Sequence, residues 1–294
     1  MNCPAALLLV KQKSSSAINI RCPAKINLYL NIMGKYKNGF HKIESIVSRI
    51  SLCDRLIVKV KKNPSIEIEC SDKSLENDEN LCIKAARLIQ KHYNLRCGFS
   101  LYLTKHIPVG AGLGGGSSCA ASTLLAIDKL LNLRLSQPAL YALGKELGSD
   151  VNFFLSQSSF AYMWGRGEKI IPLDIQSVFS YCIVYPQEIL SAQRVYKCTK
   201  VKLTKFLNNV NIIIYALKRK EYELLKWNLF NVLERGGFLA STRLRRYRSL
   251  LKNHGFTMSG SGSAFFTIIE EKKQGCTVKE TVPKNWGLFV VQSF

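Results

Sequence analysis

Apolar and polar residues alternate near the start of the chain, and this pattern predicts a β-strand. Every second residue from Ile26 to Ile32 is apolar, whereas Lys25 and Asn27 fall on the opposite face. A polar strand face of this kind is ordinarily solvated. The spacing therefore predicts that Lys25 and Asn27 share one face, and by itself it favours a solvated lysine.

The residues after this strand predict a hairpin. Asn38-Gly39 is the strongest short signal for a hairpin. An antiparallel pair would place Phe40 and His41 directly after the turn. Two further short strands are predicted at Asp54–Val60 and Ile66–Cys70.

Helical periodicity follows. The segments NDENLCIKAARLIQKHY and CAASTLLAIDKLL predict helices, and the second is so apolar that it must be mostly buried. Between them, GFSLYLTKHI predicts a strand. Ser136 predicts the cap of another helix, which ends at Gly148 in the left-handed conformation that favours glycine. SDVNFFL predicts a loop, and SSFAYMWGRGEKIIPL predicts a hairpin.

The pattern resets between Pro172 and Ser180. After that point SYCIVYP and WGLFVVQSF predict strands, several helices lie between them, and the glycine–serine loop of TMSGSGSAFFTII separates two more strands. The order of elements predicts a mixed α+β fold in two domains, residues 1–175 and 176–294, with residues 1–17 as a loosely ordered extension.

Composition and charge bear on the partner. The chain has 294 residues, 47% of them hydrophobic and 21% charged, and a formal net charge of +22. The densest basic segment, STRLRRYRSLLKNH, predicts an amphipathic helix with a basic solvent face. The apolar positions of this helix are Leu244, Tyr247, Leu250 and Leu251. No basic tail or aromatic RNA-binding motif accompanies it, so we favour a polyanionic small substrate over nucleic acid.

The cysteines and the apolar runs indicate the compartment. Ten cysteines are scattered singly, without a CxxC pair. No apolar run reaches the roughly 18 residues of a membrane span, and the basic residues near the amino terminus follow its apolar run, unlike those of a secretion signal. We therefore expect reduced, mostly buried thiols in a cytoplasmic protein.

The segment PVGAGLGGGSS, residues 108–118, has five glycines in eleven residues. Gly110, Gly112 and Gly115 satisfy G-x-G-x-x-G, but the loop lies a hundred residues into the chain and follows strands predicted to be antiparallel, unlike a dinucleotide-binding loop. No lysine follows the glycines as in a Walker loop, and the H-R-D and D-F-G motifs of protein kinases are absent. A glycine loop that opens a helix still favours an anion site, with a glycine-rich packing turn as the alternative.

Four segments occur together and in order: PAKINLYLNIMGKYKNGFHKIES, PVGAGLGGGSS, LGSDVNFF and MSGSGSAFF. In this respect the chain resembles the GHMP kinases, and most closely those that phosphorylate a cytidylyl polyol of the non-mevalonate isoprenoid pathway. The resemblance implies ATP-dependent transfer to the substrate's 2-hydroxyl. It also implies a ribosomal-protein-like N-terminal domain, a ferredoxin-like C-terminal domain and an active site in the cleft between them. A mevalonate or homoserine type of GHMP kinase is the first alternative, and an RNA-binding protein is a distant third.

The resemblance also implies catalytic residues. Asp150, in GSDVNFF, matches the family's catalytic aspartate, which accepts the proton of the attacking hydroxyl. By itself this residue would be an ordinary turn aspartate. Lys25, in PAK, matches a lysine that orients Asp150 and stabilises charge on the transferred phosphoryl group.

Four further residues match substrate-binding positions of the family. Asn27 would contact the polyol, His41 would hydrogen-bond the cytosine edge, and Tyr196 would stack on the ring. Phe40 stands where the family usually has a tyrosine, so it keeps the stacking face and loses the hydroxyl.

The resemblance implies ATP as the phosphoryl donor and Mg²⁺ as its companion. Asn80 and Lys105 match positions near the adenine and ribose. Cys119 stands where an aspartate or asparagine is common, which makes the metal ligands harder to assign. The residues expected to wrap the phosphates are Pro108, Val109, Gly110, Ala111, Gly112, Leu113, Gly114, Gly115, Gly116, Ser117 and Ser118.

Overall fold

The protein is described here from a computed structural model, which covers residues 17–199, 209–251, 255–270, 280 and 282–294. These residues form two compact units. The first comprises 17–24, Leu52–Ile107 and Gly114–Ser158, and the second comprises Lys25–Ser51, Pro108–Leu113 and Ser159–Phe294. The expected loose extension, residues 1–17, lies outside the described residues except for its last position.

Runs of strands and runs of helices follow one another along the described chain, as expected for a mixed α+β fold. The strands are β1 (Ala17–Lys35), β2 (His41–Lys61), β3 (Ile66–Cys70), β4 (Gly98–Thr104), β5 (Phe160–Gly165), β6 (Lys169–Leu173), β7 (Ser180–Tyr185), β8 (Phe230–Asn231), β9 (Thr257–Met258), β10 (Phe265–Ile269) and β11 (Gly287–Gln292). The helices are α1 (Leu81–His92), α2 (Gly115–Leu130), α3 (Gln137–Leu147), α4 (Val151–Leu155), α5 (Ala192–Cys198), α6 (Asn209–Arg219), α7 (Tyr222–Asn228), α8 (Leu233–Ala240) and α9 (Thr242–Leu250).

The first unit packs helices against a sheet. The end of β2 pairs with β4 in antiparallel register, from Arg55 opposite Thr104 to Lys61 opposite Gly98, and β3 runs parallel to β4. Helices α1 and α2 contact each other. Small buried residues such as Ala85 on α1 allow this close approach. Helix α2 is buried over most of its length, as its apolar sequence predicts.

The second unit contains the hairpin of β1 and β2 and a separate antiparallel sheet. The hairpin predicted at Asn38-Gly39 forms, through a loop of three residues, 37–39. Gly39, at φ +88°, donates its N–H to Tyr36 O at 3.0 Å, and Tyr36 N donates to Phe40 O at 2.7 Å. Strand β5 pairs with β2, and β6 pairs with β5. Strand β8 runs parallel to β1. The second sheet has the order β11-β7-β10-β9.

Several predicted elements differ from the observed ones. The strand predicted at Asp54–Val60 is the end of the 21-residue strand β2. SDVNFFL is not a loop, because Val151–Leu155 form the short helix α4. Gly148 ends α3 in an extended conformation, φ 165°, and not in the left-handed one. Among the apolar positions predicted for the basic helix, Leu244 and Leu251 are fully buried, whereas Leu250 is 52% exposed.

Polar residues of β1 are buried, contrary to the expectation of a solvated face. Lys25 and Asn27 are only 4% and 5% exposed. Both faces of this strand are covered, so its polar side chains require partners inside the protein. Within the described ranges, no helix has the length and apolar character needed to cross a bilayer.

Gly144 holds α3 close to α4, which carries Asp150 at its start. A Cβ at this position would lie 2.2 Å from Asn152 Oδ1 and 2.7 Å from Leu155 Cδ1. In an exposed helix interior alanine is more stable than glycine by about 1 kcal/mol. We expect Gly144→Ala to do the reverse and lower the free energy of unfolding by about 1–3 kcal/mol, because the helices must separate. Denaturant unfolding measures this change.

Lys145→Ala is the matched control, because Lys145 is the next residue of α3 and is exposed. It should leave the free energy of unfolding within about 0.5 kcal/mol of the wild type. Equal stability of Gly144→Ala and Lys145→Ala would contradict the close approach of α3 and α4.

Candidate active site

The glycine loop takes a backbone path that other residues rarely adopt. Gly110, Gly112 and Gly114 have φ values of +68°, +74° and +72°. At Gly112 there is also no space, since a Cβ would lie 2.1 Å from Ser259 O and 2.8 Å from Gly262 N. The glycines therefore serve both conformation and close backbone approach.

The loop ends at the start of α2, where the chain can bind an anion. Gly114 is the N-cap residue and has no side chain to occupy the first N–H groups of the helix. Ser118 begins the helical bonding by donating its N–H to Gly114 O at 2.9 Å. The positive end of the helix dipole lies at the same place. The hydroxyl of Ser118 is fully buried and has no hydrogen-bond partner within the described part of the chain.

Of the two expected nucleotide residues, the first unit brings Lys105 to this helix start, together with Leu81, which follows Asn80 in the chain. Lys105 Nζ would lie 3.2 Å from a Cβ at Gly115, and Leu81 Cδ1 would lie 3.2 Å from one at Gly116. Asn80, which precedes Leu81, caps α1 by accepting from Cys82 N at 2.9 Å and by donating from Nδ2 to Leu75 O at 2.8 Å. The sequence did not reveal this structural use of Asn80.

Asp150 lies at the start of α4 and is half-buried. Its side chain makes no capping hydrogen bond to that helix. The residue is therefore not explained as a helix cap, the commonest structural use of an aspartate in this place. Gly148, two residues earlier, would meet Ser117 Oγ at 3.9 Å if it carried a Cβ. The segment that holds Asp150 thus approaches the start of α2.

Lys25 is fixed by a chain of buried hydrogen bonds in the second unit. Its Nζ donates to Asn27 Oδ1 at 2.6 Å, and Asn27 Nδ2 donates to Ser45 Oγ at 2.9 Å. Ser45 Oγ donates in turn to Tyr29 O at 2.6 Å. The backbone N–H of Lys25 donates to Leu113 O at 2.9 Å, which ties β1 to the glycine loop. Such a chain restricts the ammonium group to one position.

The second glycine–serine loop lies against Lys25. A Cβ at Gly260, which has φ +54°, would lie 3.0 Å from Lys25 Nζ and 3.0 Å from Gly112 O. Ser259 Oγ donates to Gly112 O at 3.1 Å. Asn231 fixes the loop, because its Nδ2 donates to both Met258 O and Gly260 O at 2.7 Å.

The sequence of this second loop belongs to the segments that resemble the family, but it does not indicate the contact with Lys25. Asn231 and Ser45 could not be predicted, because a single polar side chain gives no local signal. Each acts on residues far away along the chain, so no short motif surrounds either of them.

Of the three residues expected to bind cytosine, His41 and Tyr196 contact each other, and Phe40 contacts Arg166 instead. His41 and Tyr196 stack with ring centroids 5.1 Å apart and planes 28° apart. Burial lowers the pKa of His41, and Lys35 adds to this effect, so its ring is neutral at pH 7 and offers one donor and one acceptor. Phe40 is 52% exposed, and the Arg166 guanidinium lies 4.9 Å from its ring centroid.

The described residues offer few groups that could bind a magnesium ion. No group of three His, Cys, Asp or Glu side chains arranged for a metal occurs among them. The buried hydroxyl of Ser118 is an oxygen donor without a protein partner in the described ranges. This suits Mg²⁺, which is commonly bound by one or two protein groups together with substrate phosphates. The eight described cysteines form no disulfide bond with one another, and five of them are buried; Cys3 and Cys276 lie outside the described residues.

Comparison with known proteins identifies the family. The model of the GHMP kinases N terminal domain matches residues 80–158, and that of the GHMP kinases C terminal domain matches residues 213–287. A 4-diphosphocytidyl-2-C-methyl-D-erythritol kinase of Prochlorococcus marinus (strain MIT 9312) is 34% identical, over 94% of this chain and 92% of its own length. The chain belongs to the GHMP kinase family. It is a kinase that uses ATP, with the two-domain GHMP fold.

Solved structures agree with this family. The crystal structure of a 4-(cytidine 5'-diphospho)-2C-methyl-D-erythritol kinase matches with a TM-score of 0.79 and 30% identity, covering 94% of this chain and 99% of that one. A homoserine kinase from Cytophaga hutchinsonii ATCC 33406 has a TM-score of 0.73 but 15% identity, covering 97% of each chain. This second likeness shows the fold alone. Within the GHMP kinases, the chain therefore groups with the enzymes of the cytidylyl type.

We expect Gly260→Ala to impair catalysis in this GHMP kinase more than it impairs folding. The new methyl group would lie 3.0 Å from the ammonium nitrogen of Lys25, the residue that matches the family's catalytic lysine, and a small misplacement of such a group would cost about tenfold or more in rate. The kcat with ATP and the cytidylyl substrate measures this loss.

Gly255→Ala is the control, because Gly255 is also left-handed, at φ +62°, but its Cβ would meet no atom closer than 3.8 Å. It should lower the melting temperature through backbone strain and leave kcat unchanged. Equal losses of kcat in the two variants would show that backbone strain, and not the contacts of the new methyl group with Lys25 Nζ and Gly112 O, is responsible.

Proposed function

We propose that this kinase transfers the γ-phosphoryl group of ATP to the 2-hydroxyl of 4-(cytidine 5'-diphospho)-2-C-methyl-D-erythritol, giving the 2-phosphate and ADP. This step belongs to the non-mevalonate pathway of isoprenoid precursor biosynthesis. Relatives named for this activity support the proposal. The observation that carries it is the stacked pair of His41 and Tyr196. A neutral imidazole beside an aromatic face offers the donor, acceptor and stacking surface that a cytosine requires.

ATP binds, in this proposal, along the glycine loop from Pro108 to Ser118, with Asn80 and Lys105 near its adenosine part. The N–H groups at the start of α2 that have no partner within the helix donate hydrogen bonds to the phosphate oxygens. Ser117 and Ser118 supply hydroxyls for the phosphates and for Mg²⁺. When bound, this ion neutralises charge on the phosphate oxygens.

Asp150 and Lys25 are the catalytic residues of this proposal. The substrate hydroxyl oxygen attacks the γ-phosphorus, the bond from that phosphorus to the bridging oxygen of ADP breaks, and the hydroxyl proton passes to the Asp150 carboxylate. No covalent intermediate with the enzyme forms. Lys25 stabilises the negative charge on the transferred group, and its bond to Asn27 fixes the ammonium position. Asn27 contacts the polyol.

The remaining expectations belong to the same proposal. The enzyme works in the cytoplasm, where cysteine thiols stay reduced. Its partners are ATP and the cytidylyl substrate, and the net charge of +22 attracts both of these polyanions. The N-terminal domain spans 1–175 and the C-terminal domain spans 176–294.

Replacing the catalytic carboxylate separates chemistry from turn formation. Asp150→Asn keeps the size and the turn-forming ability of the side chain but removes the base. We expect kcat to fall at least about a hundredfold, with little change in the affinity for ATP or in the melting temperature. Steady-state kinetics and nucleotide titration measure these quantities.

Asp128→Asn is the matched control in the same unit. Asp128 Oδ1 accepts from Leu135 N at 3.0 Å, a bond that the asparagine oxygen can also accept. Its kcat should equal that of the wild type. Near-normal turnover in Asp150→Asn would exclude this residue as the base and leave positioning and electrostatics to account for the rate.

The cytidine end of the acceptor should be essential. Binding energy from a remote part of the substrate helps to place the reacting hydroxyl. We therefore expect kcat/KM for unmodified methylerythritol phosphate to be lower by about a hundredfold or more. His41→Ala should reduce this preference while leaving ADP affinity unchanged. Equal kcat/KM for the two acceptors would refute the assignment of His41 and Tyr196, and phosphorylation of mevalonate or homoserine instead would refute the proposed substrate.

A further inference from the structure

Asp54 is a fully buried carboxylate on β2, in the first unit. Its Oδ1 accepts from the backbone N–H groups of His106 and Ile107, at 2.7 and 2.8 Å. Its Oδ2 forms an ion pair with Lys105 Nζ and accepts from Cys119 Sγ at 3.4 Å. One side chain thus contacts the segment before the glycine loop and the helix after it.

The ammonium group of Lys105 lies in an electrostatically unfavourable position. Its Nζ lies beside Gly115, the first residue of α2, and its side chain is only 11% exposed. A cation near the positive end of a helix dipole is unfavourable, and partial burial adds to this cost. The Asp54 carboxylate compensates the charge and keeps Lys105 where an anionic ligand of the helix start would meet it.

The same contacts fix the backbone that leads into the loop. Ile107 Cγ2 would lie 3.1 Å from a Cβ at Gly115, so the segment held by Asp54 also touches α2. Burial raises the pKa of the Asp54 carboxyl, and the Lys105 ammonium opposes this effect. The two charges are therefore energetically dependent on each other.

We infer that Asp54 is a positioning residue for nucleotide binding: its carboxylate holds the Lys105 ammonium beside the start of α2 and fixes residues 105–107, from which the glycine loop continues. Asp54 acts through Lys105 and the backbone and does not itself touch the nucleotide. This inference rests on the proposed binding of ATP at the glycine loop. It adds a residue that lies about fifty positions before that loop and outside its motif.

Asp54→Asn tests the inference. Asparagine can still accept from His106 and Ile107, but its amide cannot compensate the Lys105 charge. We expect the Kd for ADP and the KM for ATP to rise at least about tenfold, the loss expected when one charge-assisted hydrogen bond is no longer made. The KM for the cytidylyl substrate should change less than about twofold. A role in stability alone would lower the melting temperature without this difference between the two substrates.

Lys105→Met, alone and combined with Asp54→Asn, tests whether Asp54 acts through Lys105. If Asp54 acts through Lys105, the double variant binds ADP no more weakly than Lys105→Met does. Additive losses would overturn this route. Glu67→Gln is the control, because it removes an exposed partner of Lys61 in the same unit and should leave ADP binding unchanged.

Two further outcomes are decisive. Unchanged ADP affinity in a folded Asp54→Asn protein overturns the inference. If that variant does not fold, Lys105→Met takes its place, and unchanged ADP affinity there overturns the inference as well. ADP is titrated without an acceptor, so these results do not depend on the acceptor's identity. Failure of the wild type to phosphorylate the cytidylyl substrate would refute the proposed function separately.

Discussion

The second unit depends on the approach of two glycine-containing loops, backbone against backbone. At Gly112 no side chain fits, because a Cβ would lie 2.1 Å from Ser259 O. Two hydrogen bonds close the contact, from Ser259 Oγ to Gly112 O and from Ala264 N to Ala111 O. Since Lys25 N also bonds to Leu113 O, the glycine loop, the second loop and β1 form one rigid arrangement.

In both units a buried charged group needs hydrogen-bonding or ionic partners inside the protein. In the second unit the Lys25 ammonium is held by Asn27, and in the first the Asp54 carboxylate is held by Lys105 and two backbone N–H groups. A buried charge without such partners would destabilise the fold by roughly 3–5 kcal/mol. The exposed ion pair of Lys61 with Glu67 is of another kind, because solvent screens it. Only the buried sets restrict charged groups to one geometry, which phosphoryl transfer requires.

The sequence by itself determined most of the local structure. The Asn38-Gly39 turn, the Ser136 cap of α3 and the amphipathic α1 form as predicted, because each depends on residues a few positions apart. The ordered set of four segments was also enough to indicate the GHMP kinase family.

Only the tertiary structure decided which polar groups are buried and what holds them. Alternation along β1 predicted a solvated Lys25, but both faces of the strand are covered. Asn231 and Asp54 carry no local motif, yet they fix segments about 27 to 53 positions away along the chain. Periodicity reports the direction of a side chain relative to its own strand or helix. Burial and long-range hydrogen bonding depend on what packs against that element, and this information is spread over the whole chain.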